Sequence, residues 1–146
     1  MLNLQPNLDP FLFINSSLKV EHLISAECDY ELSENEWYFK AHWPRNPNMP
    51  AALQLETMTQ VAGMILFVSL KDKPKNLYIR EIKNSVFYKK IIPGIIITAE
   101  AKVESYKKGI LKSKARIYNK TTKYIYSKAE FSLVNPDLIQ PMNLSD

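Results

Sequence analysis

Polar and apolar residues alternate along much of the C-terminal half of the chain. From Ile97 to Glu104 the odd positions are apolar and the even positions are polar, which is the two-residue period of a strand with one buried face. This and similar strand-like stretches predict three or four long antiparallel strands, with turns at 107–109 and 119–122. The predicted strands cover residues 77–91, 97–106, 110–119 and 124–134.

The pattern changes in the middle of the chain. Residues 51–70 read AALQLETMTQVAGMILFVSL, which predicts a helix about 30 Å long. Pro50 suits its first turn, where the missing N–H has no partner inside the helix anyway. Because the run is apolar nearly all round, we expect other structure to enclose this helix.

Two further strands are predicted in the N-terminal part, at 11–20 and 23–32. Both stretches are rich in apolar and β-compatible residues, and a short break around Glu21 and His22 separates them. We expect residues 33–41 to continue as extended chain.

One helix and a one-faced sheet together define the expected fold. A sheet with a single apolar face must bury it, and only one helix is available to cover it. The prediction is therefore an α+β hot-dog fold, in which a curved antiparallel β-sheet wraps around a long central helix. One helix covers little sheet area, so we also expect a second subunit.

The chain shows no repeat and no linker, so a single domain over residues 1–146 is predicted. The ends, at 1–9 and 135–146, are expected to be loosely ordered. A length of 146 residues is sufficient for a hydrophobic core.

The charge balance and the cysteine content limit which kinds of partner and which cellular compartment we expect. The formal net charge is +4, with 19 Lys and Arg residues scattered along the chain. This balance favours an acidic partner, but without a nucleic-acid motif or a basic helix we expect no nucleic acid. Cys28 is the only cysteine, which excludes an internal disulfide and indicates the cytoplasm. We expect no signal peptide and no membrane span, because the apolar run at 51–70 is interrupted by polar residues.

Glu56 is the only charged residue between Ala51 and Leu70. An ionised carboxylate is costly to hold away from water, and position 56 lies beyond the first helical turn, where the helix dipole would help most. Glu56 could simply face a gap at the helix surface, or a neighbouring side chain could satisfy its charge. Alternatively, the small and polar residues on its helical face leave room for a ligand.

His42 lies fourteen residues before Glu56, in a segment with Pro44, Pro47 and Pro50. A lone histidine is often structural, and His22 is assigned to that class. The three prolines, however, restrict the backbone and so fix where His42 points. The segment leads into a helix N-terminus, whose free N–H groups favour developing negative charge. A base, an acid and an oxyanion site suit proton abstraction next to a carbonyl and loss of a β-substituent.

The segment HWPRNPNMPAALQLETMTQVAG (42–63) resembles the signature of the FabZ-type 3-hydroxyacyl-[acyl-carrier-protein] dehydratases, GHFPxxPxMPGVLxxEAxAQxxG. The histidine, three prolines, methionine, leucine, glutamate, glutamine and final glycine fall at matching spacing. DPFLFINSSLKV (9–20) is similar to the first strand of that family, and SVFYKKIIPG (85–94) resembles its FxRPVxPGD segment. The resemblance spans roughly residues 9–134.

The resemblance implies a role for each matching position. His42 would be the base that takes the C2 proton of a 3-hydroxyacyl thioester. Glu56, contributed by the partner subunit of a homodimer or a trimer of dimers, would protonate the leaving hydroxyl. The Ala51 N–H would hold the thioester carbonyl, and Gln60 would orient Glu56.

The resemblance also implies the partner and the absence of a cofactor. The substrate would arrive on the phosphopantetheine arm of an acyl carrier protein, with Lys89 and Lys90 as contacts. The pathway would be fatty-acid synthesis or a related specialised acyl or polyketide pathway, and no metal or organic cofactor is implied.

Two positions depart from the family pattern, because Ala41 and Ala51 stand where it has glycine. A positive φ at either position would strain an alanine. Two alternatives remain beside the dehydratase: a non-catalytic hot-dog subunit that binds acyl chains or carrier protein, and a hot-dog acyl thioesterase.

Overall fold

The computed structural model of the chain describes residues 1–139. Within that range the chain forms six strands and two α-helices. The strands are β1 (Lys19–Glu21), β2 (Ser25–Glu31), β3 (Tyr78–Phe87), β4 (Ile96–Lys107), β5 (Ile110–Asn119) and β6 (Ile125–Val134). The helices are α1 (Trp37–Ala41) and α2 (Ala51–Ser69), and short 3-10 turns cover Leu2–Leu4 and Pro136–Leu138.

The six strands form one antiparallel sheet around α2. Their order is β1-β2-β4-β5-β6-β3, and α2 contacts β1, β2, β4, β5 and β6. The stretch from Val61 to Leu66 is fully buried, and each large apolar side chain there contributes about 1.5–3 kcal/mol by leaving water. The hot-dog fold is therefore confirmed, and the predicted helix is confirmed to within one residue.

α2 is long and apolar enough, by length and composition, to cross a membrane. Its mean hydropathy is 1.3, but 72% of the apolar window is buried within the protein. Because the sheet encloses it, its apolar composition is that of a core helix.

Strand β5 follows the alternation seen in the sequence over most of its length, and β4 follows it in part. Ala99, Ala101 and Ile117 face the core. Lys108 and Gly109 form the two-residue turn between β4 and β5, with φ of 50° and 77°. Positive φ at both positions is the geometry of a type I′ hairpin, which needs glycine at one of them.

The strand predicted at 11–20 is wrong over most of its length, since only Lys19–Glu21 forms β1. The apolar side chains Phe13 and Ile14 are buried as expected. The backbone, however, bonds to side chains: Asn15 Oδ1 accepts from the Ser17 N–H at 2.8 Å. Such local bonds compete with strand pairing.

The prediction of extended chain at 33–41 is also wrong. Residues Trp37–Ala41 form α1, a five-residue helix that buries Tyr38 and Phe39 against the core. In such a short segment the need to bury two adjacent aromatic rings outweighs the weak local propensity.

Strand β3 departs from the expectation of a single apolar face. It lies at one end of the sheet with β6 as its neighbour among the described strands. Nearly all of its residues are exposed, including Tyr78, Ile79, Ile82 and Val86. An edge strand that exposes several apolar side chains is a template for pairing with another chain.

The predicted disorder of the ends is not tested directly. Residues 1–9 contain the 3-10 turn Leu2–Leu4 and a buried Gln5. Asn135 accepts the Asp137 N–H and caps the second 3-10 turn. The remainder of the predicted loose C-terminus, 140–146, lies outside the described residues.

Candidate active site

Glu56 lies on α2 between helical turns whose residues are mostly buried. Glu56 is partly buried, and its Oε1 accepts from Gln60 Nε2 at 2.8 Å, one turn further along. The same Oε1 accepts from Asn7 Nδ2 at 3.1 Å. Its Oε2 has no hydrogen-bond partner among residues 1–139. The only charge of this helix is thus held through one oxygen, and the other oxygen is available.

A cavity of about 300 Å³ lies beside Glu56. It is bounded by the N-terminal segment, α2 and the start of β3, where Tyr78 and Ile79 are about half exposed (56% and 42%). Its lining is mixed, with polar side chains near Glu56 and with Gly63 and Phe67 further along α2. The carboxyl group of Glu56 therefore lies in a cavity at the free edge of the sheet.

His42 lies at the C-terminus of α1, where its backbone N–H donates to the Tyr38 carbonyl at 2.7 Å. Its ring Nδ1 is 3.1 Å from the Asn48 carbonyl oxygen. Since a carbonyl can only accept, Nδ1 must hold a proton. In the neutral imidazole this leaves Nε2 as the free lone pair, which is the arrangement of a base. Trp43 stacks on the imidazole with the ring centroids 4.5 Å apart.

The phenol of Tyr38 does not add a second base. Burial, together with nearby Glu36, raises the pKa of Tyr38 well above its ordinary value. The hydroxyl is therefore neutral near pH 7, and among the described residues it has no hydrogen-bond partner.

Hydrogen bonds as well as prolines fix the loop from His42 to Pro50. The Asn48 N–H donates to the His42 carbonyl at 3.1 Å, and the Met49 N–H donates to the Ile91 carbonyl at 2.9 Å. Asn48 and Met49, in the interior of this loop, are both buried. The loop is thus a rigid support for the imidazole.

Ala51 is the first residue of α2, and Pro50 provides no side-chain cap. The first N–H groups of a helix have no partner within it, and the Ala51 backbone is at an exposed position. Neither Ala51 nor Ala41 is among the residues with positive φ. The backbone here does not require glycine, so alanine introduces no strain.

Lys89 and Lys90 lie exposed just after β3. Lys89 Nζ lies over the Tyr124 ring, 5.3 Å from its centroid. Lys90 Nζ donates to Asn46 Oδ1 at 2.7 Å and so contacts the His42 loop.

Within one chain the structure brings together Glu56 and Gln60, but the cavity beside Glu56 is not lined by His42. Sequence reasoning missed Asn7 and Asn48. Asn48 acts through its carbonyl, for which residue type gives no signal. Asn7 is 49 positions from Glu56, and no local pattern links them.

The groups at hand are an imidazole, a carboxyl group and free helix N–H groups. Residues 1–139 contain no cluster of three or more His, Cys, Asp or Glu side chains that could hold a metal ion. The arrangement is suited to moving protons beside a polarised carbonyl.

These features define a hot-dog protein with an imidazole and a carboxyl group as candidate site groups, and similarity to known proteins specifies its family. The model of the FabA-like domain matches residues 9–128. The chain therefore belongs to the FabA-like family, and the resemblance seen in the sequence is confirmed.

Several curated relatives are similar over most of their length. The 3-hydroxyacyl-[acyl-carrier-protein] dehydratase FabZ of Lactobacillus helveticus is 29% identical over 94% of this chain and 91% of its own. The enzyme of the same name from Variovorax paradoxus is 34% identical over 80% of this chain and 79% of its own.

Solved structures with this fold include dehydratases and thioesterases. The dehydratase heterocomplex ApeI:P from Xenorhabdus doucetiae aligns with a TM-score of 0.75 at 9% identity, covering 91% of this chain and 88% of that one. The zebra fish thioesterase superfamily member 2 aligns with a TM-score of 0.68 at 12% identity, covering 92% and 91%. At such low identity these likenesses establish the fold alone.

Proposed function

We propose that the protein is a 3-hydroxyacyl-[acyl-carrier-protein] dehydratase, which converts carrier-bound 3-hydroxyacyl thioesters to trans-2-enoyl thioesters. The observation that carries this function is Glu56, a single carboxyl group on an apolar helix, held through Oε1 beside a cavity. Membership of the FabA-like family and the names of the FabZ relatives support the same reaction.

In the proposed mechanism, His42 Nε2 removes the proton from C2 of the substrate. The electron pair of that C–H bond forms the C2–C3 double bond, and the C3–O bond breaks. A proton from Glu56 Oε2 passes to the departing hydroxyl, which leaves as water. The Ala51 N–H stabilises the negative charge that builds on the thioester oxygen. These steps need no metal or organic cofactor.

A second copy of the chain completes the site in this proposal. The cavity beside Glu56 is lined by Tyr78 and Ile79 of the free edge strand, whereas His42 does not line it. Pairing of β3 with the β3 of another copy would cover the exposed apolar side chains and bring a second chain to the mouth of the cavity. The homodimer, alone or within a trimer of dimers, would then have two sites, each with His42 of one subunit and Glu56 of the other.

The carrier protein is proposed to approach beside the His42 loop. Lys90 is bonded to Asn46 in that loop, and Lys89 precedes it in the sequence. Exposed lysines favour an acidic partner and accelerate its docking more than they tighten it. We place the protein in the cytoplasm, where its one cysteine, buried Cys28, would stay reduced.

A turnover assay with 3-hydroxyacyl thioesters of graded chain length on carrier protein tests this function. We expect enoyl thioester to form in the wild type, and His42→Ala and Glu56→Gln each to reduce kcat about 100- to 10,000-fold. His22→Ala is the matched control, because His22 is an exposed histidine far from the loop in sequence, and it should keep full activity.

The same assay separates the alternatives. Release of free thiol without enoyl product would identify a thioesterase. Carrier binding without turnover at any chain length would identify a non-catalytic subunit. Full activity in His42→Ala or Glu56→Gln would refute the role of that residue.

A further inference from the structure

Two amide groups donate to the same oxygen of Glu56. Gln60 Nε2 is 2.8 Å and Asn7 Nδ2 is 3.1 Å from Oε1. Gln60 belongs to the same helix, but Asn7 comes from the segment that follows the first 3-10 turn. The proposed mechanism gives Asn7, the second donor, no role.

The chain on both sides of Asn7 is anchored. Gln5, two residues before it, is buried. After it, the Phe11 carbonyl accepts from Gln60 Nε2 at 2.9 Å, and the Phe13 N–H donates to Gln60 Oε1 at 2.8 Å. Gln60 therefore bonds both to Glu56 and to the chain just after Asn7, so the segment that carries Asn7 is held close to Glu56.

We infer that Asn7 is a positioning residue that, with Gln60, determines which oxygen of Glu56 bears the catalytic proton. An amide Nδ2 can only donate, so Oε1 must present lone pairs to both amides. A proton on Oε1 would have to displace one of these bonds. The acidic proton therefore resides on Oε2, which has no protein partner among residues 1–139.

This assignment rests on the proposed dehydratase function and specifies its acid step. The proton leaves Oε2 as the C3–O bond breaks and joins the hydroxyl oxygen to form water, so Glu56 ends the step as a carboxylate. Oε1 keeps the same two bonds before and after the transfer. The carboxyl group therefore need not rotate during the reaction, which is the benefit of a pre-organised acid.

Substitutions of Asn7 test the inference. Asn7→Asp keeps the shape but replaces the N–H donor with an acceptor, and Asn7→Ala removes the group. We expect kcat to fall about 10- to 100-fold in both, because the lost hydrogen bond would strengthen as Glu56 becomes a carboxylate in the chemical step. KM should change little, since the bond acts in the chemical step. Asn7→His, whose ring N–H can replace the amide N–H, should restore most of kcat.

Asn3→Asp is the matched control. Asn3 is an exposed asparagine in the same segment, and its change to aspartate adds the same charge. It should leave kcat at the wild-type level. An Asn7→Asp or Asn7→Ala variant with normal kcat, or one that loses only thermal stability, would overturn the positioning role.

A second readout does not depend on turnover. In 15N-resolved NMR spectra the side-chain amide of Asn7 is identified as the signal lost in Asn7→Asp. We expect Glu56→Ala to shift this signal, because its acceptor disappears, and Leu55→Ala, a neighbouring change on α2, to leave it in place. If the Asn7 amide signal does not shift in Glu56→Ala, the contact between Asn7 and Glu56 is refuted. If the wild type showed no dehydration while the signal shifted as expected, the proposed function would fail but the hydrogen bond would stand.

Discussion

The proposed division of the site between two chains makes a strict prediction about mixed dimers. His42 does not line the cavity of Glu56 in its own chain, so each proposed site takes one residue from each subunit. In a dimer of one His42→Ala chain and one Glu56→Gln chain, one site receives both substitutions and the other receives none. Such a heterodimer, made from two inactive proteins, should have about half the activity of a wild-type dimer, since one of its two symmetric sites is intact.

The assay is co-expression of the two variants with different affinity tags, followed by tandem purification and turnover measurement. The reciprocal control pairs a wild-type chain with a chain that has both substitutions. Shared sites then receive one substitution each, and activity should fall to the level of the single variants. If each site instead lay within one chain, the outcome would be reversed: the mixed single variants would be inactive and the control would be half active. That result would refute the shared site.

Three further predictions concern the fold and the interface. Ile82→Lys, at an exposed position on β3, should turn the dimer into monomer in analytical ultracentrifugation and remove turnover together with it; a stable active dimer would contradict pairing through β3. Met64→Ala, at a fully buried position of α2, should lower the free energy of unfolding by about 2–5 kcal/mol in urea titrations, and a loss below 1 kcal/mol would mean that the helix is not enclosed as described. Burial raises the pKa of Asp29, but hydrogen bonds from Lys120 and Thr98 outweigh it and hold this pKa below its ordinary value of 3.8. The stabilisation is therefore present above about pH 4 and is lost as the pH falls through the native pKa. Since the pair with Lys120 is partly exposed, Asp29→Asn should cost at most about 1 kcal/mol at pH 7 and nothing in strong acid; equal costs at both pH values would contradict the ion pair.

The helix and the last three strands could be predicted because each is a long stretch whose pattern of apolar residues favours one kind of element. α2 is apolar nearly all round over its nineteen residues, and β5 alternates over ten, so burial largely defines each of them. The segment at 11–18 is equally apolar, but Asn15 and Ser17 bind the backbone locally. The pattern of apolar residues predicts which side chains are buried. It does not show whether the backbone pairs with another strand or bonds to nearby side chains.

The chemistry of the site could be predicted in part for a related reason. Glu56 stands out as a charge in an apolar run, and His42 stands out among prolines. Asn7 has no such contrast, since asparagine is common in irregular chain. Its role depends on a contact across 49 positions, which only the folded backbone creates.

The proposed pairing through the exposed edge of β3 would also determine how the protein behaves on dilution. A chain without its partner presents unpaired N–H and C=O groups beside Ile79, Ile82 and Val86, which other unfolded or partly folded chains can join. Because association stabilises only the folded form, the midpoint of thermal unfolding should rise with protein concentration. Specific activity should fall in dilute solution for the same reason. For a protein that pairs in this way, concentration affects stability just as temperature and pH do.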